Sequence, residues 1–280
     1  MHTFDTPTPP QLTIEFRSGD ITIDARDVTE TSVELSGRRD DEDSRAMVAA
    51  TIIEQRGEAV VVFVPKRSFA SSGRDPELRL HVTAPTHTRL AVKSGSADLQ
   101  ARGTFGDSRV DSGSGDVALD HLDGPSRVRT GSGDVEVERA SAELHLQTGS
   151  GDIRIARLEA AAKVQSGSGD VRVDAAERGL VIQTGSGDIS VGQADDDVKA
   201  QTGSGDVHLG SVRKGNVQAQ GASGDIHVGV VPGTAAWLDV KTLTGRVESD
   251  LESSDVPDDE EQRVRLKLNT VSGDIAVVRS

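Results

Sequence analysis

The sequence predicts an all-β fold, a β-solenoid (β-helix-like) built from repeats of about 18 residues. Three observations carry this prediction. An acidic residue recurs at a fixed interval, aliphatic and polar residues alternate on both sides of it, and glycines stand just before it. A fixed period this short is typical of stacked structural units, because a single unit cannot bury its apolar face alone.

The recurring acidic residue defines an Asp spine, in which Ser-Gly-Asp or a close variant returns every 18 residues from Asp98 to Asp206. One extra residue precedes the next aspartate, and the motif occurs again at Asp274. The predicted site residues are Asp98, Asp116, Asp134, Asp152, Asp170, Asp188, Asp206 and Asp225. Because glycine tolerates positive φ and aspartate favours turns, the spine predicts a backbone corner in every repeat.

The residues around each spine aspartate predict two strands per repeat. Counted from Asp152, the aliphatic positions are +1 and +3 on one side and −8 and −6 on the other. Such alternation is typical of a strand with one buried face. Position −4, here Thr148, is almost always Ser or Thr and is predicted to point inward beside the turn. Position −5 predicts an amide ladder of Gln147, Gln165, Gln183, Gln201 and Gln220.

The repeats predict one continuous body with two regions. Residues 1–90 are predicted as an irregular N-terminal β region that includes the first rungs, and residues 91–280 as the regular solenoid. The acidic segment 252–261 is predicted to be a solvated loop. Residues 263–278 are predicted to form the capping C-terminal strand, because a terminal rung with a free edge can pair with other chains.

The irregular N-terminal region still contains recognisable elements. Residues 28–37 predict a strand, and two further strands are predicted about a turn near Arg56 and Gly57. A weak helical pattern runs from Asp43 to Gln55, and a loop rich in Ser, Gly and Arg runs from Lys66 to Pro76. We therefore expect this region to be mainly β-structure.

The composition excludes several classes of function. The net charge of −15 repels phosphate backbones and anionic headgroups, so neither nucleic acid nor a membrane surface is expected as a partner. The sequence contains no cysteine, which excludes disulfides and thiolate metal sites. No signal peptide or transmembrane segment is visible, and this predicts a cytoplasmic protein.

A family resemblance is carried by VTAPTHTRLAVKSGSADL, by the serial TGSGDV units, and by WLDVKTLTGRVESDL together with NTVSGDIAV. These segments are similar to a bacterial β-strand-repeat family catalogued as a putative adhesin domain of unknown function. The resemblance extends over nearly the whole chain and implies a β-helical solenoid. It implies no established catalytic activity and therefore supplies no catalytic residues.

Two roles are open for the Asp spine. Stacked carboxylates would lie roughly 5 Å apart and repel each other by about 1 kcal/mol per neighbour in water. In the favoured interpretation, each carboxylate accepts hydrogen bonds from N–H groups of its own Gly-Ser-Gly turn. The alternative is a row of Ca²⁺ ions, as in β-rolls. The chain lacks the second glycine-rich turn of a β-roll, so no metal or cofactor is predicted.

No residue stands out as catalytic, since every repeat offers a carboxylate without a distinctive neighbour. Trp237 is predicted to be a packing or capping residue rather than a sugar platform, and His208 and His227 share a column in which they can stack. We therefore predict a non-enzymatic interaction scaffold that binds another protein or self-associates. The alternatives are a calcium-binding β-roll-like module and a carbohydrate-active or carbohydrate-binding β-helix.

Overall fold

The computed structural model describes residues 1–66, 75–251 and 263–280. Most of the predicted loop from Lys66 to Pro76 and the whole acidic segment 252–261 lie outside these residues. The chain divides into two compact units, Met1–Ala142 and Glu143–Ser280, which we call unit 1 and unit 2.

Unit 1 consists almost entirely of strands. Its elements are β1 (His2–Asp5), β2 (Gln11–Arg26), β3 (Glu30–Gly37), α1 (Glu42–Ala50), β4 (Ile52–Arg56), β5 (Ala59–Phe63), β6 (Leu78–Pro85), β7 (Thr88–Ser112), β8 (Val117–Leu122), β9 (Ser126–Thr130) and β10 (Val135–Ala140). Burial alternates along these strands as the sequence does, with Leu12 and Ile14 of β2 fully buried. The prediction of strands with one buried face is therefore confirmed.

Parallel pairing in register stacks the repeats of unit 1. β2 pairs with β7, β7 pairs with β8 and β9, and β8 pairs with β10. Equivalent aliphatic residues therefore lie side by side, as Leu12 and Leu90 do. The pairing also satisfies the backbone N–H and C=O groups of each strand.

Antiparallel strands complete the N-terminal end of unit 1. β5 and β6 join β2 as parallel strands, after which β4 pairs antiparallel with β5, β3 with β6, and β1 with β3. β3 and the β4–β5 hairpin confirm the strands predicted in this region, and Gly57 in the hairpin turn has a φ of 59°. This end is therefore built differently from the repeats that follow it.

Helix α1 is the only helix among the described residues of unit 1. It is shorter than the helical pattern predicts, because residues 52–56 join β4 instead. Asp41 begins the helix, and its Oδ1 accepts a hydrogen bond of 2.7 Å from the Ser44 N–H. In the described part of the chain, no helix has the length and apolar character of a membrane span.

The regular elements in the described residues of unit 2 are all strands. Its elements are β11 (Leu144–Thr148), β12 (Ile153–Leu158), β13 (Ala162–Ser166), β14 (Val171–Ala176), β15 (Leu180–Thr184), β16 (Ile189–Ala194), β17 (Val198–Ser204), β18 (Val207–Val212), β19 (Gly215–Ser223), β20 (Ile226–Val230), β21 (Ala235–Thr244), β22 (Val247–Ser249), β23 (Arg263–Ser272) and β24 (Ile275–Arg279).

Each repeat of unit 2 contributes one strand to each of two parallel ladders. β11, β13, β15, β17 and β19 form the first, and β12, β14, β16, β18 and β20 form the second. The register advances by one repeat, so that Leu180 lies between Ala162 and Val198. The buried faces of the ladders form aliphatic columns, and the predicted solenoid of stacked repeats is confirmed.

The C-terminal segment lies within the stack of unit 2 rather than at its end. β23 pairs with β19 on one side and with β21 on the other, and β24 lies between β20 and β22 in the same way. The prediction that residues 263–278 cap the stack is therefore wrong. The last repeat in space is the earlier segment 235–249, which contains β21 and β22 and which we call the end rung.

Candidate functional site

The spine aspartates connect successive repeats through their carboxylates. Oδ1 of one aspartate accepts a hydrogen bond from the backbone N–H of the aspartate one repeat later. These distances are 3.0 Å for Asp98 and Asp116, 2.9 Å for Asp116 and Asp134, 2.9 Å for Asp152 and Asp170, 2.8 Å for Asp170 and Asp188, 2.8 Å for Asp188 and Asp206, 2.8 Å for Asp206 and Asp225, and 2.7 Å for Asp225 and Asp274. All eight predicted site residues are exposed; seven lie between strands at the Gly-rich corners, whereas Asp98 lies within the continuous strand β7.

In several turns, the Ser or Thr at position −4 accepts a hydrogen bond from a glycine N–H of the same turn. Oγ1 of Thr130 accepts a hydrogen bond from the Gly133 N–H, and Oγ1 of Thr148 accepts one from the Gly151 N–H, both at 3.0 Å. Both hydroxyls are buried, as predicted for this position. The sequence predicts that the carboxylate caps its own turn, but the spine carboxylates bond to the next repeat. In the turns of Thr130 and Thr148 the hydroxyl occupies the N–H inside the turn.

The spine ends at the end rung, where Arg246 stands in the position of the aspartate. Its backbone N–H donates to Oδ1 of Asp274 at 2.8 Å, and its Nη2 donates to Oδ2 at 3.0 Å. These two bonds, the backbone one first, hold the pKa of the Asp274 carboxyl below its ordinary value. Arg246 offers no carboxylate to a further repeat, so the spine cannot continue beyond this rung.

An outward column of unit 2 forms the predicted glutamine ladder. Each side-chain amide donates to the carbonyl oxygen of the next, at 2.9 Å from Gln165 to Gln183, 2.8 Å from Gln183 to Gln201 and 2.7 Å from Gln201 to Gln220. The amide ladder is therefore confirmed for these four residues. It connects the same repeats that the spine connects on the corner.

The predicted histidine pair is also present in unit 2. The rings of His208 and His227 stack with their centroids 5.0 Å apart and their planes 10° from parallel. Burial, and to a lesser extent the positive charge of His227, lowers the pKa of His208 below its ordinary value. The neutral form of His208 is therefore favoured.

An open groove of about 440 Å³ crosses the outer face of the first ladder in unit 2. Small residues, Ala161 and Gly179, line it together with Lys163, Asp197 and Lys199. The groove therefore presents charges of both signs to solvent. Within the described residues, no group of three or more His, Cys, Asp or Glu side chains is arranged to hold a metal ion.

The end rung concentrates exposed apolar side chains. The exposed fraction is 58% for Trp237, 79% for Leu243 and 50% for Val247. Every residue of β21 is at least partly exposed, whereas Leu266 and Leu268, one rung further in, are completely buried. The aliphatic columns of unit 2 therefore end at a surface that the described residues leave uncovered.

The backbone of the end rung is also available for contact. Within residues 1–66, 75–251 and 263–280, β21 pairs only with β23 and β22 only with β24. The other edge of each strand therefore presents N–H and C=O groups that a further strand could pair with.

Trp237 lies on this surface, where the sequence predicts a packing or capping residue. The Cζ atom of Arg265 lies 5.2 Å from the centroid of its ring, in a cation–π contact. Sequence reasoning missed the exposed surface because the strand pattern of residues 235–249 predicts burial like that of any other repeat. The available signal was Arg246, which replaces the spine aspartate and marks the last rung.

Comparison with known families identifies the class of this chain. The profile of the family described as Toastrack DUF4097 matches residues 10–215 and 127–278. Because these matches together cover most of the sequence, the chain belongs to the Toastrack family, whose function is unknown. The resemblance inferred from the repeats is therefore confirmed.

The solved structures that are similar to this chain include the following two. A putative adhesin from Bacteroides fragilis NCTC 9343 is 14% identical, with a TM-score of 0.47, over 99% of this chain and 96% of its own. A putative cell adhesion protein from Clostridium sporogenes ATCC 15579 is 8% identical, with a TM-score of 0.22, over 100% of this chain and 98% of its own. No curated protein matches the sequence.

Proposed function

We propose that this protein is a non-enzymatic interaction scaffold that binds another protein or a second copy of itself through the end rung of unit 2. The observation that carries the proposal is the end rung itself, where exposed Trp237, Leu243 and Val247 adjoin two open strand edges. Clustered apolar residues at a surface favour protein contact, because association removes them from water.

The chemistry of the repeats supports a structural role for the recurring polar columns of this sequence. Spine carboxylates accept backbone hydrogen bonds, the Ser and Thr hydroxyls cap turns, and glutamines bond to glutamines. Groups used in this way contribute to holding the stack together. The end rung differs, because its exposed side chains and edges have unused capacity for contacts.

The composition supports a protein as the partner. A chain with a net charge of −15 repels nucleic acid and anionic membrane surfaces at long range. Apolar contact and strand pairing at the end rung do not depend on a positively charged surface. Pairing of a further strand with a sheet edge is a common mode of protein recognition.

The proposal is tested by affinity purification from the native cell combined with light scattering of the purified protein. The wild type is compared with a double variant, Trp237→Ser with Leu243→Ser. The two substitutions remove exposed apolar surface and leave the buried core unchanged. Ile52→Ser is a matched control, since Ile52 is an exposed apolar residue, 44% accessible, on β4 of unit 1.

We expect the wild type and the control to retain a bound protein or a second copy that the double variant loses. Thermal melting should show that all three proteins are folded. If the double variant retains every partner of the wild type, the end rung is not the binding surface and the proposal fails.

A further inference from the structure

We propose that the partner of the end rung is a second copy of this chain, with β21 of one copy pairing antiparallel with β21 of the other. This inference rests on the proposed function and names the partner. It would make the interface symmetric, the same surface meeting itself about a two-fold axis. The sequence of β21, and the direction in which its side chains point, carry the inference.

The outward face of β21 is complementary to itself when the two-fold axis passes through Val240. In this antiparallel register, Asp239 lies opposite Lys241 of the other copy, and Lys241 lies opposite its Asp239. Trp237 likewise lies opposite Leu243. Each copy therefore supplies the opposite charge and the matching apolar group to the other. Directly opposed residues of antiparallel strands are neighbours on the same face and contribute to pairing.

The positions of these side chains in the structure agree with this arrangement. Trp237, Lys241 and Leu243 are exposed, and Asp239 is half-exposed beside Lys241, whose Nζ lies 3.5 Å from its Oδ1. Opposite charges at alternate positions of one edge strand become two cross-strand ion pairs when the strand is paired with itself. A strand with charges of a single sign would repel its copy instead.

The inward face supplies a second reason for association. Leu238 and Val240 remain partly exposed at the end rung, although Leu266 and Leu268 beside them are completely buried. In the same register Val240 meets Val240 of the other copy, and Leu238 meets Thr242. Pairing would therefore extend the aliphatic columns from one copy into the next and remove their open end from water.

Charge exchange between positions 239 and 241 tests the register. Asp239→Lys and Lys241→Asp each place like charges opposite one another in a symmetric dimer, whereas the double variant restores opposite charges. An equimolar mixture of the two single variants also restores them, because each supplies the charges that the other lacks. Sedimentation velocity over a range of protein concentrations measures the dimer dissociation constant in every case.

We expect a dimeric wild type and a dissociation constant raised about tenfold or more in each single variant. The double variant and the mixture should recover most of the wild-type affinity. The mixture is decisive, because mixing relieves the charge repulsion between chains but not any loss of stability that a substitution causes within its own chain. Lys163→Asp, on the outer face of β13, is the matched control and should leave the dimer unchanged.

A monomeric wild type, or single variants that dimerise as well as the wild type, would overturn the inference. So would a mixture that stays monomeric. If the wild type is a monomer and the Trp237→Ser, Leu243→Ser variant no longer binds a different protein that the wild type binds, only the second-copy inference is overturned. A monomer in which that variant loses no partner overturns the proposed function as well.

Discussion

At the scale of single residues, each spine carboxylate has two opposed effects on stability. It accepts a hydrogen bond from the next repeat, as Asp188 does from the Asp206 N–H at 2.8 Å, and it lies in a row of like charges. Neighbouring rungs are roughly 4.8 Å apart, a distance at which like charges repel. The acceptor and the charge can be separated experimentally, because asparagine keeps the first and removes the second.

Asp188→Asn should therefore be at least as stable as the wild type at low salt. Asp188→Ala removes the hydrogen-bond acceptor, and its free energy of unfolding should fall by about 1 kcal/mol. Urea denaturation measures both variants. Added salt should narrow the gap between Asp188→Asn and the wild type, because it screens the repulsion. Equal losses in the two variants would show that the negative charge, rather than the hydrogen bond, holds the turns together.

The stacked histidines predict a dependence on pH. The pKa of His208 is below its ordinary value of about 6.5, so the unfolded chain binds a proton more readily than the folded chain. The contribution of His208 to stability should therefore fall as the pH drops from the unfolded pKa to the folded one, and then level off. NMR titration of the ring protons measures the folded value directly.

His227→Gln should raise the pKa of His208 only part of the way, because burial is the larger cause and remains. A His208 that titrates at or above its ordinary value in the wild type would contradict the stacked geometry. The same titration reports on His227 as an internal comparison.

At the scale of the element, close approach of the backbones at each corner requires glycine. A Cβ added to Gly187 would lie 2.2 Å from the carbonyl oxygen of Gly169, one repeat earlier. Gly179 lies in the other connection of the repeat, and a Cβ there would meet nothing within 4 Å. Substitution by alanine is therefore expected to change stability in opposite directions at these two glycines.

Gly187→Ala should lower the free energy of unfolding by about 3 kcal/mol or more, or prevent folding, because the backbones of neighbouring repeats must separate to make room for the Cβ. Gly179→Ala should change stability by less than about 1 kcal/mol, in the stabilising direction, because alanine restricts the unfolded chain. Thermal and urea unfolding measure both. Similar losses at the two positions would contradict the tight stacking of the corners.

The position of β23 inside the stack gives a second test at the scale of the element. Leu266→Ala should lose about 2–5 kcal/mol, because Leu266 is completely buried between Val217 and Leu238. Leu238→Ala, at the partly exposed end rung, should lose less than half as much under dilute, monomeric conditions. The reverse order of the two losses would place the C-terminal segment at the end of the stack.

The sequence predicts most of the elements but not their order in space. Alternating aliphatic residues around each aspartate predict the two strands of a repeat, since local periodicity determines which face is buried. Repeats with the same pattern can stack in more than one order, so their order along the chain predicts β23 as the last strand of the stack. The order in space depends on the bond from each carboxylate to the next repeat. The rung with Arg246 must be the last, because it has no spine carboxylate to accept such a bond.

The candidate site was less predictable than the fold for the same reason. The Asp spine was visible in the sequence, yet whether a carboxylate bonds to its own turn or to the next repeat depends on distances between repeats. Trp237 is predicted to be a packing or capping residue because large aromatic side chains are usually buried. In the structure it lies on the outward face of β21 and is exposed.

At the scale of the whole molecule, membership of the Toastrack family and the pairing of the strands agree on a fold of stacked repeats. Each unit uses its recurring polar residues to connect neighbouring repeats. We propose that these residues maintain the stack and that the end rung of unit 2 provides the surface for association.

Hydrogen–deuterium exchange at several protein concentrations tests this claim most directly. We expect amides of residues 215–223 and 263–272 to be protected at every concentration, and amides of residues 235–244 to gain protection as the concentration rises. Asp239→Lys should abolish that gain. Exchange in residues 235–244 that is independent of concentration and unchanged by native cell extract would contradict the claim.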